Sequence, residues 1–77
     1  MMFNKFKNQA LNRFIMETKD ICLEEPPYKG GVGGYSIEMV ISRKDNVYDS
    51  FIYKSEVDRD TDLNTLIDLL YEKESFV

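Results

Sequence analysis

The sequence predicts a small α+β domain of two layers, in which two helices cover one face of an antiparallel β-hairpin. Three observations lead to this prediction. Apolar residues recur at helical spacing near both ends of the chain. Polar and apolar residues alternate over residues 35–42, a return strand is predicted over residues 47–55, and a stretch rich in proline and glycine precedes both. The 77 residues form a single domain, near the size at which one core barely suffices.

The first element is a helix predicted over about residues 3–19. Its apolar stripe has spacings of three and four residues, and Asn, Lys and Arg fill most of the opposite side. The stripe consists of Phe3, Phe6, Ala10, Leu11, Phe14 and Ile15. A basic amphipathic helix also suits a membrane surface, but this stripe is what a two-layer domain needs for its core. We therefore expect no membrane binding.

The segment after this helix allows two interpretations. Ile21 and Leu23 alternate with other residues, which predicts either a short third strand near residues 21–24 or the tail of the helix. Two prolines then end any helix that reaches them. Residues 24–34 are predicted to be a glycine-rich loop that turns into the hairpin. The alternative is a mobile binding loop that presents Tyr28 and Lys29 to a partner.

The hairpin is predicted over residues 35–55. In the first strand, one face is predicted to lie in the core, with Tyr35, Ile37, Met39 and Ile41 on one face and Ser36, Glu38, Val40 and Ser42 on the other. Residues 43–46 supply the turn, because Asp and Asn tolerate left-handed conformations there. The return strand divides into two faces in the same way, with Val47, Phe51 and Tyr53 on one and Tyr48 and Ile52 on the other.

The last element is a helix predicted over residues 60–75, with Asp60 or Thr61 as its N-cap. Its stripe comprises Leu63, Leu66, Ile67, Leu70 and Tyr71. Leu69 and Phe76 lie off that stripe and share a second ridge. Either the core wraps around the helix, or this ridge contacts a second copy or another protein.

The sequence lacks the motifs expected of a phosphate-binding loop, a catalytic site or a metal site. Lys29 precedes the glycines and a predicted strand follows them, whereas a P-loop places Gly-Lys-Ser/Thr at the start of a helix. The chain has no histidine, which removes the usual general base and the commonest metal ligand. The single cysteine, Cys22, excludes an internal disulfide and has no visible activator. We expect no enzymatic activity, no cofactor and no metal.

Acidic residues cluster around the start of the predicted C-terminal helix. An EF-hand loop that began at Asp58 would need glycine at Leu63 and glutamate at Leu69, so this is not a calcium loop. One interpretation is a solvated helix start whose charges complement the helix dipole. The other is an acidic surface that binds a basic protein, formed by Asp45, Asp49, Glu56, Asp58, Asp60 and Asp62.

Composition narrows the functional class. The net charge is −4, and it is uneven: residues 1–20 carry a net +2 and residues 21–77 a net −6. Residues with AT-rich codons greatly outnumber those with GC-rich codons, which favours a gene from an AT-rich bacterium or from a phage or mobile element within one. In size and acidity the chain is similar to small phage-encoded inhibitors such as anti-CRISPR proteins. This resemblance implies a host protein as the target and carboxylates that stand in for phosphates.

Three functional hypotheses follow. The first is a cytoplasmic, non-enzymatic inhibitor or adaptor that binds a protein with a basic surface. The second is a homo-oligomeric structural or regulatory protein whose symmetric contact includes Leu69 and Phe76. The third is nucleic-acid binding through the first helix with Lys29, Arg43 and Lys44, which the acidic body of the chain disfavours.

Overall fold

The computed structural model describes residues 6–18 and 22–71. Its elements run in the order α1 (Gln9–Glu17), β1 (Tyr28–Gly30), β2 (Tyr35–Ser42), β3 (Val47–Tyr53) and α2 (Glu56–Tyr71). The three strands form one antiparallel sheet in the order β1-β2-β3. The predicted α+β class is confirmed.

Helix α1 begins later than the sequence predicted. Residues 6–8 are bends, and Asn8 caps the helix by accepting a hydrogen bond from the Leu11 amide at 3.0 Å. Phe6 precedes the helix but is buried in the hydrophobic core, and the Asn12 side chain bonds both its amide (3.0 Å) and its carbonyl (2.8 Å). The predicted positions before residue 6 and at residue 19 lie outside the described residues.

The third strand exists, but not where the sequence placed it. It is β1, Tyr28–Gly30, inside the segment that was predicted to be loop, whereas Leu23 lies in no strand and Ile21 falls outside the described residues. Near the predicted place, among the described residues 22–24, the Glu24 amide bonds to the Val40 carbonyl of β2 (2.9 Å). Proline favours an extended conformation in the residue before it, so Pro26-Pro27 leads the chain into a strand.

The two turns of the sheet use the residues that tolerate left-handed backbone. Gly33 (φ 69°) and Gly34 (φ 105°) turn the chain between β1 and β2. Asn46 (φ 62°) does the same between β2 and β3, where the Asp45 amide also donates to Ser42 Oγ at 3.0 Å. The predicted hairpin is confirmed.

Helix α2 begins a turn earlier than predicted. Ser55 acts as its cap, because Ser55 Oγ accepts a hydrogen bond from the Asp58 amide at 3.3 Å. Asp60 and the residue after it, predicted caps, therefore lie inside the helix. The predicted end beyond Tyr71 lies outside the described residues.

Both helices pack on one face of the sheet. There Ile37, Met39, Phe51 and Tyr53 are buried together with residues of both helices. The helical members of this core are Leu11, Leu63 and Leu66. One helix-to-sheet contact is a tilted aromatic pair, in which the rings of Phe14 and Phe51 are 5.7 Å apart.

Candidate functional site

The predicted acidic surface is divided between the two ends of the sheet. Asp45 lies in the turn before β3, whereas Glu56 follows β3 at the start of α2. The seven residues of β3 separate these two ends by about 20 Å. Asp49 lies within the strand itself and is half-buried. These carboxylates therefore do not form a single patch.

At the α2 end, much of the negative charge is already paired. Buried Arg59 bonds the Asp60 carboxylate through Nε at 2.7 Å and lies 3.8 Å from Glu56 through Nη2. Lys29 approaches Asp60 at 3.6 Å from β1. The hydrogen bond from Arg59 is the main cause that lowers the pKa of Asp60; desolvation opposes it, and the nearby charge of Lys29 adds to the lowering. Lys29 thus contacts α2 rather than extending from a mobile loop.

Asp62 is not a surface residue, which corrects its assignment to the acidic surface. It is fully buried, and its carboxylate accepts hydrogen bonds from the amides of Lys7 (2.9 Å) and Asn8 (3.0 Å) and from the Tyr53 hydroxyl (2.6 Å). Such bonds replace the water that a carboxylate loses on burial. Through these hydrogen bonds, Asp62 on α2 connects the segment before α1 with β3.

The second ridge of α2 is only partly described. Leu69 is half-buried and packs against the core, which agrees with the interpretation that the core wraps around the helix. Phe76, its predicted companion, lies outside the described residues. Leu69 alone does not provide an exposed apolar contact.

A different surface stands out on the sheet. Within the described residues, no helix packs on the face opposite the core. We call it the helix-free face; it comprises Tyr28, Ser36, Glu38, Val40, Tyr48, Ser50 and Ile52. Tyr28 and Tyr48 are each 44% exposed and Ile52 is 46% exposed, one on β1 and two on β3. Tyrosines with both ring and hydroxyl accessible are enriched at protein interfaces.

Glu38 occupies the centre of the helix-free face, with Tyr28 opposite it on β1 and Ser50 opposite it on β3. Its carboxylate accepts hydrogen bonds from the hydroxyls of Ser36 (2.9 Å) and Ser50, which orient it. The side chain lies across Gly30, where an added Cβ would overlap it. Within the described residues, no Lys or Arg forms an ion pair with Glu38.

An ion pair borders this face. Arg43 Nη2 donates to Glu25 at 3.0 Å, and Arg43 Nε donates to the other oxygen of the same carboxylate. This hydrogen bonding lowers the pKa of Glu25 and raises that of Arg43. The charge of Arg43 is therefore compensated by Glu25 within the protein. Val40, which lies on the helix-free face, is fully buried.

Of the residues predicted from sequence, the structure places only Tyr28 on this face. The alternation in β2 and β3 correctly assigned Glu38, Tyr48 and Ile52 to the face away from the core, but it did not single them out. One signal in the sequence could have pointed to this face: it carries two large hydrophobic residues, Tyr48 and Ile52, and a strand face that only contacts solvent needs none. The contact between Gly30 and the Glu38 side chain could not be predicted, because the register between neighbouring strands is not visible in the sequence.

No protein-family model, curated protein or solved structure was found to match this chain. The depression lined by Cys22, Leu23, Leu70 and Tyr71 measures about 190 Å³, below the roughly 300 Å³ of typical small-molecule sites. Neither helix, over the residues described, has the length and apolar character needed to cross a bilayer.

Proposed function

We propose that this protein works by binding another protein, as a small non-enzymatic inhibitor or adaptor, and that the helix-free face is its binding surface. The partner presents a cationic side chain, Arg or Lys, to Glu38. The observation that supports this most directly is an oriented carboxylate without a cation of its own within the described residues, surrounded by exposed Tyr28, Tyr48 and Ile52. The target is a host protein and the gene a phage or mobile-element gene; composition alone motivates these two parts.

The chemistry of the face suits a cationic side chain. An incoming guanidinium can bond to the Glu38 carboxylate, whose two oxygens are already held in position by serine hydroxyls. The rings of Tyr28 and Tyr48 lie on the strands on either side of Glu38. They attract a cation electrostatically and can pack against the aliphatic part of an Arg or Lys side chain. The net charge of −4 steers a basic partner towards the protein.

Nucleic-acid binding is less well supported. That hypothesis needs Lys29 and Arg43 to contact phosphates, but Lys29 lies 3.6 Å from Asp60 and Arg43 bonds Glu25. A phosphate would have to displace carboxylates that are already in place.

A titration with two short peptides tests the proposal. One peptide carries a single arginine between glycines, and the other carries citrulline, which has nearly the same shape but no charge. We expect the arginine peptide to shift the amide resonances of Glu38, Tyr48 and Ser50, with a Kd of about 1 mM that rises with salt. Equal shifts with the citrulline peptide, or shifts centred on the start of α2, would contradict the proposal.

A matched pair of variants completes this test. Glu38→Gln keeps the shape of the side chain and removes its charge, whereas Asp68→Asn removes an exposed charge from α2, away from the sheet. The proposal predicts roughly 10-fold weaker binding of the arginine peptide by Glu38→Gln. Asp68→Asn, with the same change in net charge, should bind almost as wild type does. Equal losses in both variants would mean that only the overall charge matters.

A further inference from the structure

Over residues 6–18 and 22–71, β2 is the only strand that pairs with β3, so the opposite edge of β3 has no partner strand among them. The Ile52 carbonyl accepts a hydrogen bond from Asn8 Nδ2 at 3.0 Å, outside the sheet. Residues that alternate along a strand direct their amide and carbonyl to the same edge, so Tyr48 and Ser50 also face outward. Their side chains lie on the helix-free face, whereas Phe51 faces the core.

We propose that two copies of the protein pair through this edge, with β3 antiparallel to β3 of the second copy and a two-fold axis at Ser50. The result is one continuous six-stranded sheet. In this register all of β3 is paired, with Val47 opposite Tyr53 of the second copy and Tyr48 opposite its Ile52. Other registers leave part of the strand unpaired.

The side chains match in this register. Tyr48 of each copy lies opposite Ile52 of the other, and aromatic residues pair favourably with β-branched residues across strands. At the ends, the turn that carries Lys44 comes next to the other copy's Glu56, which also lies 3.8 Å from Arg59 but is largely exposed. Asp45 comes next to the other copy's Lys54. These are complementary charges at both ends of the interface. The Ile52 carbonyl retains a second lone pair for the amide of Tyr48 from the second copy.

Asp49 opposes this pairing mildly. The two Asp49 residues are diagonal neighbours about 7–8 Å apart, on the side of the sheet that carries the helices. Their repulsion weakens the dimer at low salt and is screened as salt rises. A charged residue that points inward on an edge strand disfavours edge-to-edge aggregation. We therefore expect Asp49 to limit the assembly to a weak dimer.

The dimer changes what the helix-free face can bind. A two-fold axis perpendicular to the sheet puts both helix-free faces on the same side. Glu38, Ser50 and their copies then lie in one row, with the two carboxylates about 14 Å apart, or three strand spacings. Two cationic side chains of one partner can therefore be bound together, with a gain in avidity.

The matched variants Ser50→Pro and Ser50→Ala test the pairing. Proline removes the outward amide that the interface needs and the monomer does not, since an edge strand tolerates proline at such positions. Alanine removes the same hydroxyl but keeps the amide. In sedimentation experiments up to about 1 mM protein, we expect wild type and Ser50→Ala to dimerise and Ser50→Pro to have a dimer Kd about 10- to 100-fold higher. Asp49→Asn should dimerise more tightly than wild type.

Amide hydrogen exchange in the wild type gives a second readout, which holds even if Ser50→Pro does not fold. The Tyr48 and Ser50 amides should become more protected as protein concentration rises, while exposed α2 amides should not change. A wild-type monomer at about 1 mM overturns the inference, as does a dimer that Ser50→Pro leaves intact. Concentration-dependent protection confined to α2 instead favours a contact through that helix and also overturns it.

Discussion

The buried carboxylate of Asp62 gives the most specific prediction about stability. Its removal in Asp62→Ala leaves three donors without their partner: the amides of Lys7 and Asn8 and the hydroxyl of Tyr53. Each unsatisfied buried donor costs about 1–3 kcal/mol, and the two amides are only partly buried, which places them at the low end. We expect a loss of about 3–5 kcal/mol.

That loss is large for this protein. A domain of 77 residues has an unfolding free energy of about 4–12 kcal/mol, so Asp62→Ala removes much of it. Asp62→Asn keeps one oxygen that can still accept these bonds, but it loses the charge that strengthens them. It also buries an amide NH₂ group, and we expect a cost of about 2 kcal/mol.

Urea unfolding followed by circular dichroism measures these differences. The control is Asp68→Ala, an exposed position on the same helix, which should stay within about 0.5 kcal/mol of wild type. The double variant of Asp62→Asn and Tyr53→Phe should lose less than the sum of the two single losses, because the two side chains share a hydrogen bond. An Asp62→Ala protein as stable as wild type would refute the buried role of this carboxylate.

Two further predictions concern the sheet and its pH dependence. Gly30→Ala should destabilise the protein by about 1–2 kcal/mol in urea unfolding, because the new Cβ displaces Glu38, whereas Gly31→Ala, with open space at that position, should be neutral within about 0.5 kcal/mol. Burial and the bond to Asp62 raise the pKa of Tyr53 above its ordinary value of 10.0. The stabilisation by the protonated Tyr53 hydroxyl is therefore fully present below pH 10 and is lost as the pH rises towards the pKa in the folded protein. The unfolding free energy should fall less steeply above pH 10 in Tyr53→Phe than in wild type; equal slopes would contradict this.

The elements that follow directly from local pattern were predictable. Alternation over Tyr35–Ser42 and Val47–Tyr53 identified both long strands and their faces, and Asn46 adopts the left-handed conformation expected of its turn. Strand β1 was missed because three residues are too few to show alternation, and one of them is Gly30.

The candidate site was harder to predict because it depends on register and burial. An aspartate on a helix is normally exposed, and nothing local shows that the distant amides of Lys7 and Asn8 meet Asp62. In the same way, Glu38 becomes the centre of a surface only when β1 and β3 are aligned on either side of it. The sequence placed it correctly on the outer face but gave no reason to choose it.

Binding of a partner protein by the helix-free face can be tested by a comparison of matched baits. Wild type, Glu38→Gln, Tyr48→Ser and Asp68→Asn are used as baits in lysate from a low-GC bacterium, at two salt concentrations, with quantitative mass spectrometry of the captured proteins. We expect wild type and Asp68→Asn to recover one basic protein that is depleted with Glu38→Gln and Tyr48→Ser and reduced at the higher salt. Recovery of the same protein by all four baits, unaffected by salt, would contradict it.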